Sequence, residues 1–136
     1  MNYIDTNVIL SYLNKRDVNY HKAFKLWSIK EQKVISEVTL LEIRSVLART
    51  TKLNEQEIEA YIEYLPETGV KIAEGDLYEI FRRAPEVAFK LKMKMLDTLH
   101  IAACLEINAG SFTTLDHGFI EKSKVISEFG ITIVWE

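Results

Sequence analysis

Cysteine is almost absent from this chain. Cys104 is the only one, so an intrachain disulfide is impossible and a multi-cysteine zinc site is excluded. It lies in the apolar stretch Ile101-Ala102-Ala103-Cys104-Leu105 and reads as a small buried hydrophobe rather than a reactive thiol. Two prolines and five glycines in 136 residues argue against a linker-rich or fibrous chain. No apolar run approaches the ~20 residues that a membrane helix needs. The start, Met1-Asn2-Tyr3-Ile4-Asp5, lacks the basic and apolar regions of a signal peptide, so a cytoplasmic location is expected. There is no Gly-rich phosphate loop and no Ser-His-Asp order. A dominant charge is missing too: the net charge of -3 gives no global basic field to advertise nucleic-acid binding.

What is present fits one globular domain over residues 1–136, with 48% apolar and 27% charged residues. The charge is uneven. Residues 1–34 carry six Lys/Arg and three acids, residues 35–80 four and ten, and residues 81–136 seven and seven. Within the last part, Arg82, Arg83, Lys90, Lys92 and Lys94 face only Glu86 before Asp97, so a polyanion could be held locally. A solvated helix face explains the same residues equally well. Lys15 and Arg16 carry the same two readings.

Short apolar runs alternate with helical patterns. Tyr3-Ile4 reads as a strand, followed by the helix starters Asp5-Thr6-Asn7. A helix is expected from about Asn19 to Lys30, with Ala23, Phe24, Trp27 and Tyr20 on one face. Val34-Ile35 is a buried-strand signal. Ser36 can cap a helix to about Arg49, and Asn54 another to about Leu65, stopped by Pro66 and Gly69. Val70-Lys71-Ile72 alternates as a strand. Asp76 opens a helix that Pro85 should interrupt. A helix over about Leu96–Asn108, a strand at 111–114, a helical turn to about Lys124 and the strand Ile131–Val134 complete the order. Such alternation predicts an α/β fold with helices on both faces of a parallel sheet.

Four acids stand where such sheets place their sites, at the carboxyl ends of strands and in the helices beside them. Asp5 follows the first strand, Asp116 follows the strand at 111–114, Asp97 opens a helix and Glu42 lies inside one. Asp5, Asp97 and Asp116 each have a second explanation as helix or turn caps, and Asp97 leans toward a cap. Glu42 is different. Its helical neighbours are Val38, Thr39, Ser45 and Val46, with no basic partner, and a carboxylate on that stripe needs compensation unless it reaches solvent. Converging carboxylates would repel by about 4 kcal/mol per pair at 4 Å and a dielectric of 20. They would need a cation, and an all-oxygen set suits Mg²⁺ or Mn²⁺.

Four segments occur in order: Tyr3-Ile4-Asp5-Thr6-Asn7, Glu37-Val38-Thr39-Leu40-Leu41-Glu42, Leu96-Asp97-Thr98-Leu99-His100-Ile101-Ala102-Ala103 and Thr113-Thr114-Leu115-Asp116-His117-Gly118-Phe119. Together they resemble the acidic motifs of PIN-domain ribonucleases, and their spacing is similar to that of VapC toxins. The resemblance spans essentially the whole chain. It implies a PIN-like (Rossmann-like) three-layer α/β/α fold with a short parallel sheet of four to five strands. It implies metal-dependent endoribonuclease activity, with Asp5, Glu42, Asp97 and Asp116 as ligands of Mg²⁺ or Mn²⁺. Thr114 would be a supporting hydroxyl, with Asn7 near the site. A VapB-type antitoxin, bound by helices of the first half, and a homodimer are the implied partners, with RNA as substrate. Many relatives carry one more acid at the position of Gly118, which puts a second metal in doubt.

His100 shares a helical face with Asp97 and reads as a core or supporting histidine more readily than a ligand; His21 and His117 read as surface residues. Tyr61, Tyr64, Tyr78, Phe81 and Phe89 read as core or subunit interface rather than base-stacking platforms. Two competing functions remain. A non-catalytic PIN-like RNA-binding or scaffolding module would suit Gly118 and the net charge. A receiver domain would need adjacent acids after the first strand and a lysine after the last, where this chain has Thr6-Asn7 and Trp135.

Overall fold

The computed structural model describes residues 1–136. Five strands form one sheet: β1 (Asn2–Ile4), β2 (Lys33–Ile35), β3 (Val70–Ile72), β4 (Ser111–Thr113) and β5 (Thr132–Val134), in the order β3-β2-β1-β4-β5. All four pairings are parallel. The strands are three residues long and largely β-branched or aromatic, and β1 at the centre is buried on both faces. Tyr3 pairs in register with Val34 on one side and Phe112 on the other.

Eight helices make the crossovers. They are α1 (Thr6–Tyr12), α2 (Tyr20–Trp27), α3 (Glu37–Thr50), α4 (Glu55–Tyr64), α5 (Leu77–Leu91), α6 (Met95–Ile107), α7 (His117–Glu121) and α8 (Ser123–Ser127). The strand period of two separates Tyr3, Val34, Phe112 and Ile133 from Ile4 and Ile35. The first set packs with α5, α6, Phe119 and Ile126 in one core. The second packs with α1–α4 in the other. From β1 the chain winds outward to β3, then crosses back to β4 and winds to β5. Connections of one hand must then change faces, which gives the three layers.

Caps explain most boundaries. Ser36 and Asn54 each form a capping box, with Thr39 and Glu57 respectively. Of the two proline expectations, one holds and one fails. α4 ends at Tyr64, just before Pro66 as expected, and a 3₁₀ turn, Leu65–Thr68, follows and ends at Gly69 in the left-handed region (φ 93). Pro85 does not interrupt α5, which runs through it. Pro85 has no N–H for the Phe81 carbonyl, but Ile80, Val87 and Leu91 are buried against the α6 side of the core, and that packing holds the helix together. The second helix also ends sooner than expected, at Trp27, and Phe24 is half exposed while Ala23 and Trp27 are buried. No helix is long and apolar enough to cross a membrane.

Candidate metal centre

The strand order reverses between β1 and β4, and open α/β sheets bind ligands at the carboxyl ends of the strands beside such a reversal. Asp5 leaves β1 there, and Thr114 and Asp116 leave β4. Asp5 is 4% exposed. Its Oδ1 accepts the Thr6 N–H (2.8 Å), capping α1, and its Oδ2 accepts the Thr114 hydroxyl (2.7 Å). Burial pushes the Asp5 carboxyl up to about 6, against the opposing pull of His100 and the Thr114 hydroxyl; Glu42 adds to the rise. Thr114 Oγ1 in turn accepts the Asp116 N–H (2.9 Å). One hydroxyl therefore ties Asp5 to the Asp116 backbone. Asn7, expected near the site, accepts the Leu115 N–H (3.3 Å) and joins the same two segments.

Glu42 sits in the second turn of α3 and is half-buried. Its compensation comes from α6: His100 Nε2 lies 2.8 Å from Glu42 Oε1. Burial pushes the Glu42 carboxyl up, but the His100 hydrogen bond, Thr6 and Arg49 outweigh it and hold the group below its ordinary range. The Thr6 hydroxyl is buried and lies close to Glu42, where it adds to the pull that keeps that carboxyl low.

Asp97 is not a cap. Lys94 occupies that position in α6 without a side-chain bond, and Asp97 lies in the first turn, half-buried. Burial raises its carboxyl above the usual range, and the negative charges of Asp116 and Glu42 raise it further. Asp116 is exposed and caps α7, its Oδ1 accepting the Gly118 N–H (2.8 Å). Ligand atoms of Asp5, Glu42 and His100 lie within 4.8 Å of one another. Asp97 and Asp116 stand outside this tightest group; Asp97 feels the charges of Glu42, His100 and Asp116.

His100 is fully buried, as expected of a core or supporting histidine. Its other nitrogen, Nδ1, meets Tyr3 Oη at 3.0 Å, and that oxygen also meets Ser36 Oγ (2.6 Å) and Thr39 Oγ1 (3.0 Å). Sequence reasoning missed Tyr3, Ser36 and Thr39 as parts of the site: Tyr3 reads only as an apolar strand residue. The one available signal was its hydroxyl, which a buried tyrosine must satisfy.

Cys104 is buried, and burial pushes its thiol up to about 12. Of the five cations that could grip a phosphate backbone or line a solvated face, Arg82, Arg83 and Lys90 pair with Glu79, Glu106 and Glu86. Lys92 lies over the Phe89 ring (4.9 Å).

Known proteins share this fold. The PIN domain profile matches residues 3–125. The chain belongs to the PIN-domain family. No curated protein matches it by sequence. Among solved PIN folds, it resembles VapC20 of Mycobacterium tuberculosis, described as a Sarcin-Ricin loop cleaving toxin, with a TM-score of 0.69 and 18% identity over 89% of this chain and 94% of that one. It resembles VapBC2 of Rickettsia felis, described as bound to a promoter DNA fragment, with a TM-score of 0.70 and 17% identity over 100% of both chains. For VapBC-1 of nontypeable Haemophilus influenzae the TM-score is 0.67, with 20% identity over 98% and 97%. At these identities the likeness is one of fold.

Proposed function

We propose that this PIN domain is a divalent-metal-dependent endoribonuclease and the toxin of a VapBC-type pair. The observation that carries the reading is the buried Asp5 carboxyl, raised to about 6, packed with Glu42 at the switch point of a PIN fold. The donor set fits Mg²⁺ or Mn²⁺: it offers hard carboxylate oxygens and no thiolate. Asp5, Glu42, Asp97 and Asp116 would hold the cation. When bound, it would polarise a water and the scissile phosphoryl group.

The chain's own residues do the rest. Thr114 donates to Asp5 Oδ2 and keeps that carboxylate aimed, while the Thr6 N–H holds Oδ1. Glu42 is held ionised by His100. Asp97 and Asp116 add negative charge beside these groups, and Asp97, with its raised carboxyl, has a driving force to take up charge compensation.

RNA cleavage with Mg²⁺ or Mn²⁺, with and without chelator, tests the reading. Wild type should cleave only with metal, leaving a 5′-phosphate, and Asp5→Asn should lose most activity; equal cleavage by both proteins would sink the assignment. Metal-free RNA binding without cleavage would support a scaffolding module instead.

Partners follow from the same reading. The VapBC complexes among the structural neighbours support a VapB-type antitoxin. A groove of ≈ 390 Å³ lined by Leu10, Leu13, Val46, Leu53 and Tyr61 offers a place on the first-half helices. A homodimer is supported by α5. Tyr78, Phe81 and Phe89 are exposed at 74%, 60% and 77%, on a stripe that also carries Pro85. Exposure rules out the core reading for these three and leaves a subunit interface or a base-stacking platform, of which the continuous apolar stripe favours the interface. A cytoplasmic location completes the proposal.

A further inference from the structure

The network behind Glu42 has a direction set by counting protons. An ionised carboxylate can only accept, so the proton between Glu42 Oε1 and His100 Nε2 belongs to the ring nitrogen. In the neutral ring Nδ1 is then the accepting nitrogen, and Tyr3 Oη, 3.0 Å away, donates its single proton to it. With that proton committed, Tyr3 Oη accepts from Ser36 Oγ and Thr39 Oγ1. Those two oxygens have acceptor capacity left, and they use it on the Val38 N–H (3.2 Å) and the Ser36 N–H (3.3 Å). Every member is satisfied in this arrangement, which runs from the N-terminus of α3 through β1 and α6 to Glu42.

The rings have little room to depart from it. Tyr3 and His100 are fully buried. Tyr3 stacks on Phe112 at 5.4 Å and 11° between planes, and meets His100 edge-on at 5.8 Å. Phe112 also meets His100, with ring centroids 6.4 Å apart.

We propose that His100 is a positioning residue, not a ligand. Its Nε2–H holds Glu42 Oε1, Tyr3 holds the ring in that tautomer, and Glu42 Oε2 is left for the cation. The proposal rests on the reading of Glu42 as a metal ligand. The ring nitrogen's place in the tight group with Asp5 and Glu42 would also permit direct ligation. Ligation by Nε2 requires that nitrogen to lose its proton, Nδ1 to gain one, and the Tyr3 hydroxyl to turn toward Ser36 or Thr39. It also removes the one hydrogen bond that His100 gives Glu42. Partners that orient a ligating carboxylate typically change metal affinity by about 10–100-fold when lost.

Long-range ¹H–¹⁵N spectra of the labelled protein, recorded without metal and through a Mg²⁺ titration, read the tautomer directly. His100 should show a protonated Nε2 and an unprotonated Nδ1 at both ends of the titration. A proton on Nδ1, alone or with Nε2, or loss of the Nε2 proton on Mg²⁺ addition, would overturn the proposal. Calorimetric Mg²⁺ binding supplies the second arm. His100→Phe keeps a planar ring without a donor and should bind Mg²⁺ about 10–100-fold more weakly. His100→Gln, whose amide nitrogen can reach the place of Nε2, should recover most of the affinity. Wild-type affinity in His100→Phe would overturn the positioning role. Glu42→Gln separates the two levels: if it too binds as wild type, the ligand reading has failed and the positioning role falls with it. If Glu42→Gln alone is weakened, only the His100 role has failed. Should His100→Phe not fold, the wild-type spectra decide.

Discussion

Asp5 caps a helix and faces other carboxylates, and these two roles pull its proton in opposite directions. The Thr6 N–H and the Thr114 hydroxyl favour the ionised form, but burial dominates and lifts the carboxyl to about 6. Without metal, the folded state therefore binds that proton more tightly than the unfolded chain, where aspartate titrates near 3.9. The resulting stabilisation is fully present below about pH 4 and is lost as pH rises through about 6. The gap of about two pH units corresponds to about 3 kcal/mol. Glu42 behaves oppositely. Its carboxyl is held low, so its contribution is lost only as pH falls below the ordinary glutamate range, outside the Asp5 window. Calorimetric melting in chelator should give a lower Tm at pH 7.5 than at pH 5, and Asp5→Asn should remove most of that difference. An unchanged pH dependence in the variant would contradict the burial argument. With saturating Mg²⁺, wild type should regain stability at pH 7.5, because the cation binds the ionised form.

At the scale of elements, capping and packing decide more than propensity. Ser36 and Asn54 act as their local sequence predicts, because a capping box needs only residues three apart. Asn54→Ala should cost about 1 kcal/mol in urea unfolding, with no effect on RNA cleavage. Pro85 shows the opposite case. Local rules stop a helix there, yet α5 continues because both of its halves bury apolar side chains against the same neighbour. The missing bond to the Phe81 carbonyl is still a cost. Pro85→Ala should raise the urea midpoint by the equivalent of about 1–2 kcal/mol, the helix-interior penalty reduced by the freedom that alanine returns to the unfolded chain. No stabilisation would mean that the proline is already accommodated by a local bend.

At the scale of the whole molecule, the surface is uneven. One end of the sheet gathers acids, and α5 presents an apolar stripe that nothing within the chain covers. Isolated exposed apolar residues are ordinary; a row at helical spacing is not. Sedimentation velocity of the wild type should therefore report a dimer, and the double variant Phe81→Glu, Phe89→Glu should sediment as a monomer with an unchanged far-UV spectrum. A wild-type protein that is monomeric at micromolar concentration would remove the dimer proposal while leaving the nuclease reading intact.

The sequence by itself determined the alternation of strands and helices, the parallel sheet, and the order of Asp5, Glu42, Asp97 and Asp116 along it, because periodicity and caps are local. It also exposed Glu42 as anomalous, since a carboxylate beside Val38 and Val46 has no local partner. Only the tertiary structure supplied that partner. His100 is 58 residues away from Glu42, and Tyr3 is 97 away from His100. Pairings at such separations follow from the crossing of β1, α3 and α6 and leave no trace in spacing. The same holds for Thr114, which reaches Asp5 only because β1 and β4 are neighbours in the sheet. Local sequence thus placed the charges, and the fold decided which groups hold them.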